Sequence, residues 1–226
     1  MRLKNTITII VLSIAIFSCS KKDDEPAAVV VDNKLKLPAV FENSTTLIVP
    51  DAVGTGSACG SNTTPGTAQN TIVIDKEGII LDENKVTFEI DLADVYAGEV
   101  VVEIKNTSSN PAGNSISLIK RIGATAPSSC GTRGSFIKGN KLSFNAAFTQ
   151  AIAATSSTGI PIVTGNYALS RGTDNFPSQV IDGNLANFLR SQDIKGTWTI
   201  KIYDCGTGDI CTLYNWKIKF DVGALK

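Results

Sequence analysis

The sequence predicts an all-β fold, an antiparallel β-sandwich over residues 43–226. Two observations carry the prediction. Apolar and polar residues alternate with period two in one segment after another, and clusters of Gly, Pro, Asn and Ser separate those segments. Strands with one buried face read this way, and many short strands without long helices pack as a sandwich.

In chain order, Val86, Phe88, Ile90 and Leu92 alternate with Thr87, Glu89 and Asp91. Val100, Val102 and Ile104 share a face opposite Glu103 and Lys105. Ile116 and Leu118 alternate with Ser115 and Ser117. Near the C-terminus, Trp198, Ile200 and Ile202 form one stripe and Trp216, Ile218 and Phe220 another. These last two strands read as a hairpin whose turn spans Asp204 to Ile210. A short helix is expected around Asn184 to Arg190, and no internal repeat is visible.

The N-terminus carries a different signal. Arg2 and Lys4 precede an apolar run from Thr6 to Phe17, and Ser18 and Cys19 follow. A positive start, a short apolar core and a small residue at the cut site describe an export signal. The run has 12 residues, short of the roughly 20 that a spanning helix needs. Ile16-Phe17-Ser18-Cys19 resembles a bacterial lipobox, which implies that Cys19 is lipidated. Ser20-Lys21-Lys22-Asp23-Asp24-Glu25 resembles the tag that sends Bacteroidetes-like lipoproteins to the outer face of the outer membrane. The expected organisation is a signal peptide at 1–18, a lipidated Cys and flexible linker at 19–42, and one domain at 43–226.

Composition narrows the function. The whole chain holds 21 basic and 21 acidic residues; loss of Arg2 and Lys4 with the signal leaves a net charge of −2. Nothing in that balance draws the chain to nucleic acid. There is no histidine, which excludes every Ser-His-Asp and Cys-His mechanism and removes the commonest zinc ligand. Glycosidases need only two carboxylates, so that class of chemistry is not excluded by the same fact.

Beyond Cys19 stand Cys59, Cys130, Cys205 and Cys211. An even count in an exported domain reads as two disulfides, and no CxxC pair favours zinc. Three connectivities are open. The favoured one joins Cys205 to Cys211 across the expected turn, leaving Cys59 with Cys130. On the chain-entropy view those bridges contribute about 2 and about 4 kcal/mol.

The C-terminal segment resembles a known family. Gly196-Thr197-Trp198-Thr199-Ile200-Lys201-Ile202-Tyr203-Asp204, then Gly208-Asp209, then Thr212-Leu213-Tyr214-Asn215-Trp216-Lys217-Ile218-Lys219-Phe220 is similar to the closing signature of the P domain of proprotein convertases. Ile48-Val49-Pro50-Asp51, Asp94-Val95-Tyr96-Ala97-Gly98-Glu99-Val100, Leu118 to Gly123 and Leu185 to Phe188 resemble its upstream landmarks. Asp94 stands where the family often has His, and Glu99 where it has Asp. The resemblance implies a jelly-roll sandwich of the galactose-binding-like type. The family usually appends this domain to a subtilisin-like protease, and no protease domain is present.

Acids at the expected loop ends are candidate ligands for calcium, a hard cation that takes six to eight oxygens. They are Asp51, Asp91, Asp94, Glu99, Asp204 and Asp209. Trp198 and Trp216 are in phase with buried Ile and Phe and read as core, whereas Tyr203 and Tyr214 fall out of phase and are candidates for an exposed ligand platform. The expected function is a non-catalytic binding or accessory module at the cell surface, held by lipid and facing a protein or glycan ligand. Its rivals are an accessory partner of a separate secreted subtilisin-like protease and a carbohydrate-binding lipoprotein.

Overall fold

Each alternating segment becomes a strand, and the strands divide between two facing sheets. The computed structural model describes residues 33–107 and 115–226. The signal at 1–18, Cys19 and linker residues 20–32 lie outside the described residues. The first sheet contains β1 (Ala39–Asn43), β2 (Leu47–Ile48), β4 (Val86–Ala93), β7 (Lys141–Asn145), β8 (Gly165–Tyr167) and β11 (Thr212–Phe220). Its order is β1-β11-β4-β7-β8, with β2 also on β11. The second contains β3 (Gly66–Ile74), β5 (Val100–Asn106), β6 (Ser115–Lys120), β9 (Ser170–Arg171) and β10 (Gly196–Asp204), in the order β3-β10-β5-β6-β9. The protein is an all-β sandwich.

Register lines up the apolar stripes. In the first sheet Trp216, Ile218 and Phe220 lie opposite Ile90, Phe88 and Val86. In the second, Ile200 and Ile202 lie opposite Ile104 and Val102. All ten of these residues are buried, each contributing roughly 1.5–3 kcal/mol of transfer free energy. The sheets meet where the Trp198 ring centroid sits 5.9 Å from that of Phe88. Trp198 also anchors its own strand end by donating its indole N–H to Ile194 O at 2.9 Å. The single α-helix among the described residues, α1 (Leu185–Leu189), is capped by Asn184, whose side chain accepts from the Asn187 N–H. Its Phe188 packs edge-on against Trp198.

Three expectations need correction. The last two strands are not a hairpin, because β10 and β11 belong to different sheets. The segment between them crosses the end of the sandwich, so Trp198 and Trp216 fill one core from opposite sides. The sheets are also not wholly antiparallel: β8 pairs with β7, and β9 with β6, in parallel. Both come from one short stretch, Gly165 to Arg171, that steps from one sheet to the other after a long excursion. Finally, residues 33–42 are part of the folded unit rather than linker. Asn33–Lys226 forms one compact unit, β1 lies along β11, and Lys34 bridges Glu77.

Candidate functional site

Strand ends place five of the six candidate acids at one end of the sandwich. Asp94 follows β4 and Glu99 precedes β5, on the loop that joins the two sheets there. Asp204 ends β10, and Asp209 sits in the crossing to β11. Asp51 joins them because its carboxylate accepts from Gly208 N–H at 3.0 Å. The sixth, Asp91, is elsewhere: it lies within β4 opposite Asn215 and Lys141 and accepts from Gly139 N–H at 2.8 Å.

Local turns fix these carboxyls. Asp94 accepts from Tyr96 N–H at 2.7 Å, and Asp204 from Gly206 N–H at 3.1 Å. Short polar side chains that hold the backbone two residues on are a usual turn device. Gly206 is required for another reason: a Cβ there would stand 1.7 Å from Glu99 Oε2. Cys205 N–H donates to Glu99 O at 2.9 Å, which draws the crossing segment onto the start of β5.

Each of these carboxyls is only partly satisfied. Asp94 Oδ2, Glu99 Oε2, Asp204 Oδ2 and Asp209 Oδ2 are buried without a hydrogen-bond partner. Burial and mutual repulsion disfavour their charged forms. Burial first, then the charges of Asp209 and Asp204, pushes Glu99 up to about 8. Burial raises Asp204 to about 7, and Asp209 and Asp51 add to it. Asp94 is raised well above the usual carboxylate range by burial and by Asp209, and Asp209 is raised by burial. Their oxygens do not form a closed cage. Among the described residues, the metal-ligating side chains whose ligand atoms all lie within 4.8 Å of one another are Cys59, Glu99 and Cys130.

The cysteines resolve unevenly. Cys59 and Cys130 are joined, with 5.1 Å between their Cα atoms. Cys205 and Cys211 are buried free thiols, against the expected bridge. The sheet crossing explains why. Cys211 enters the main core, whereas Cys205 packs outside the second sheet with Val101, Val180 and Tyr203. Burial pushes Cys205 up to about 12 and Cys211 well above the usual thiol range.

The tyrosine platform is also corrected. Tyr203 is 3% exposed, covered with its neighbours by Phe176 and Val180, and its hydroxyl donates to Glu103 at 3.0 Å. Tyr214 is half-buried on the other sheet, under Lys138 Nζ at 4.3 Å from its ring. Residues that sequence reading passes over also shape this end. Arg121 and Asp174, both fully buried, pair with each other, and Arg121 donates to Pro127 O and Ser129 O beside Cys130. Tyr96 and Arg133 line a cavity of about 250 Å³ that reaches the disulfide and Glu99. No sequence spacing announces these contacts, since they join residues distant in the chain.

The fold and site thus define an all-β sandwich with a buried acidic end beside a disulfide. No family model and no curated protein matches the chain. Among solved structures, a chain of the crystal structure of the Aeromonas sobria serine protease and chaperone complex is similar at 9% identity and a TM-score of 0.28. The match covers 83% of this chain and 28% of that one. A likeness of that degree carries no argument about fold or activity.

Proposed function

We propose that the chain is a non-catalytic binding or accessory module of the P-domain type, carried on the outer face of a bacterial outer membrane by lipid on Cys19. The observation that carries the reading is the set of orphaned oxygens on Asp94, Asp204 and Asp209. Buried carboxylates without partners are costly, and a hard cation offsets that cost. Calcium is the cation whose preference for oxygen donors fits this set. Asp94, Asp204 and Asp209 would have to draw together to hold it, because their oxygens do not all lie within 4.8 Å of one another, while Glu99 turns one oxygen to sulfur and Asp91 lies apart. The ion would supply the charge that keeps this loop end ordered for contact with a protein or glycan at the cell surface.

Absence of histidine in the sequence supports a non-enzymatic role, because no imidazole is present to activate a Ser or Cys nucleophile. The P-domain resemblance supports the narrower reading, an accessory partner of a separate secreted subtilisin-like serine protease. A carbohydrate-binding lipoprotein is less favoured, because the two tyrosines do not form a shared exposed platform. Calorimetric titration of residues 33–226 with calcium tests the reading: saturable binding that Asp204→Asn weakens at least tenfold is expected, with no hydrolysis of casein. Absence of calcium binding, or peptidase activity that survives repurification, counts against it. The anchor is tested separately: Cys19→Ala should move the protein from the membrane to the soluble fraction, since stable attachment needs more than one acyl chain or a second anchor.

A further inference from the structure

Glu99 faces a sulfur rather than a polar partner. Its Oε1 lies 3.2 Å from Cys59 Sγ, its Oε2 has no partner, and the residue is 5% exposed. A disulfide sulfur carries no hydrogen, so a hydrogen bond across this contact requires the carboxyl to bring the proton. The disulfide itself is lopsided. Cys59 is 4% exposed, whereas Cys130 is exposed. The cavity that reaches both sulfurs is lined by Tyr96 and by exposed Arg133, a cation placed to attract an incoming anion.

We propose that Cys59–Cys130 is an exchangeable disulfide that reacts with a protein or small-molecule thiol, with Glu99 as its proton donor. The external thiolate attacks Cys130 Sγ. A new sulfur–sulfur bond forms there, the Cys59–Cys130 bond breaks, and its electron pair passes to Cys59 Sγ. The Glu99 carboxyl proton moves to that sulfur, leaving Cys59 as a thiol and Glu99 as a carboxylate. The external thiol is oxidised to the mixed disulfide, and the protein disulfide is reduced.

The surroundings of Cys59 make the proton necessary. A thiolate leaving there would appear in a buried place beside Asp51, Asp94, Asp204 and Asp209, which already repel one another. Exchange rates depend on the leaving group, and a destabilised thiolate leaves slowly. Proton transfer in the same step moves the charge onto Glu99, a stronger acid than a buried thiol, and so lowers that barrier. Burial and the charges of Asp209, Asp204 and Asp51 keep Glu99 protonated through neutral pH; Arg121 opposes them more weakly. Calcium held by Asp94, Asp204 and Asp209 would oppose the charges that raise Glu99, so the test is run on chelator-treated protein and reads sulfur chemistry alone.

The test uses the exported chain with Cys19→Ser, so that no lipid-bearing cysteine interferes. Glutathione is the probe, and quenched alkylation with mass mapping follows each sulfur. The first adduct is expected on Cys130. The rate per glutathione thiolate should be level below neutral pH and fall as pH rises through about 8, where Glu99 loses its proton. Glu99→Gln should abolish that fall and slow exchange at pH 7 by about 100-fold, the low end of general-acid effects. The wild-type profile alone decides the matter if the variant fails to fold. A first adduct on Cys59, or a thiolate-normalised rate unchanged from pH 6 to 10, overturns the proposal.

Discussion

Two groups of carboxylates in this protein meet opposite fates. On the outer face of the first sheet, Lys217 lies in register opposite both Glu42 and Glu89. Its Nζ is 3.3 Å from Glu42 and 3.9 Å from Glu89, and Lys219 also pairs with Glu89. Hydrogen bonding from Asn215, aided by Lys217, holds Glu42 below the usual carboxylate range. At the loop end, Asp94, Glu99, Asp204 and Asp209 are all raised, with burial the first cause. Strand register sets cation opposite anion on the sheet. The loop end has no such lattice, and among the described residues no ion pair joins a Lys or Arg to these four acids. The difference marks the loop end as the place where buried acids gather without a cationic side chain paired to them.

The largest expected consequence is in the pH dependence of stability. An acid whose folded pKa exceeds its unfolded value contributes nothing unfavourable while both states are protonated. It destabilises the fold as pH rises from the unfolded value, near 4, to the folded one, and the loss is complete above that. Asp204 at about 7 and Glu99 at about 8 place the window between pH 4 and 8. Thermal unfolding should therefore show a stability decrease on the order of a few kcal/mol from pH 5 to pH 9. Millimolar calcium at pH 9 should restore most of it, because a ligand of the folded state alone stabilises that state. A flat profile from pH 5 to 9 would erase the contrast between the two regions.

That contrast was half visible in the sequence. Alternation at Val86–Leu92, Val100–Ile104 and Trp216–Phe220 marks real strands because one face of each is buried. β3 escapes the same reading. Its first six residues, Gly66 to Thr71, include no fully buried one; Ala68 packs part-buried against the core, and Ile72 and Ile74 are buried in it. The expected hairpin and the observed crossing share one sequence pattern for a physical reason. Two alternating strands joined by a short Gly- and Asp-rich segment look alike whether they pair or cross between sheets, since either arrangement buries one face of each. The paired cysteines then followed the wrong geometry. Five of the candidate acids were legible because they sit at strand ends, which this fold gathers at one pole. Asp91 was not separable from them by type or spacing, because only register shows that it lies within β4 beside Lys141. The Glu99–Cys59 contact spans 40 residues and rests on the close approach at Gly206, which no periodicity encodes.

The smallest expected effect gives the sharpest test, because two neutralising substitutions should move stability in opposite directions. Glu89→Gln removes the partner of Lys217 and Lys219 on a mostly buried side chain. It should cost about 1 kcal/mol at pH 7, the upper part of the range for partly exposed ion pairs. Asp204→Asn removes a charge that has repulsion and no cationic partner. An amide keeps one acceptor oxygen for Gly206 N–H, the bond that shapes the turn. At pH 9 without calcium this variant should be about 1 kcal/mol more stable than the parent, since it relieves repulsion among buried acids. At pH 5, where Asp204 is protonated in the folded state and only the unfolded chain is ionised there, the gain should shrink, and below about pH 4 it should vanish. Denaturant unfolding at these pH values measures both variants. Destabilisation by Asp204→Asn at pH 9 would mean that its carboxylate already has a favourable partner, and the loop end would then resemble the sheet face rather than oppose it.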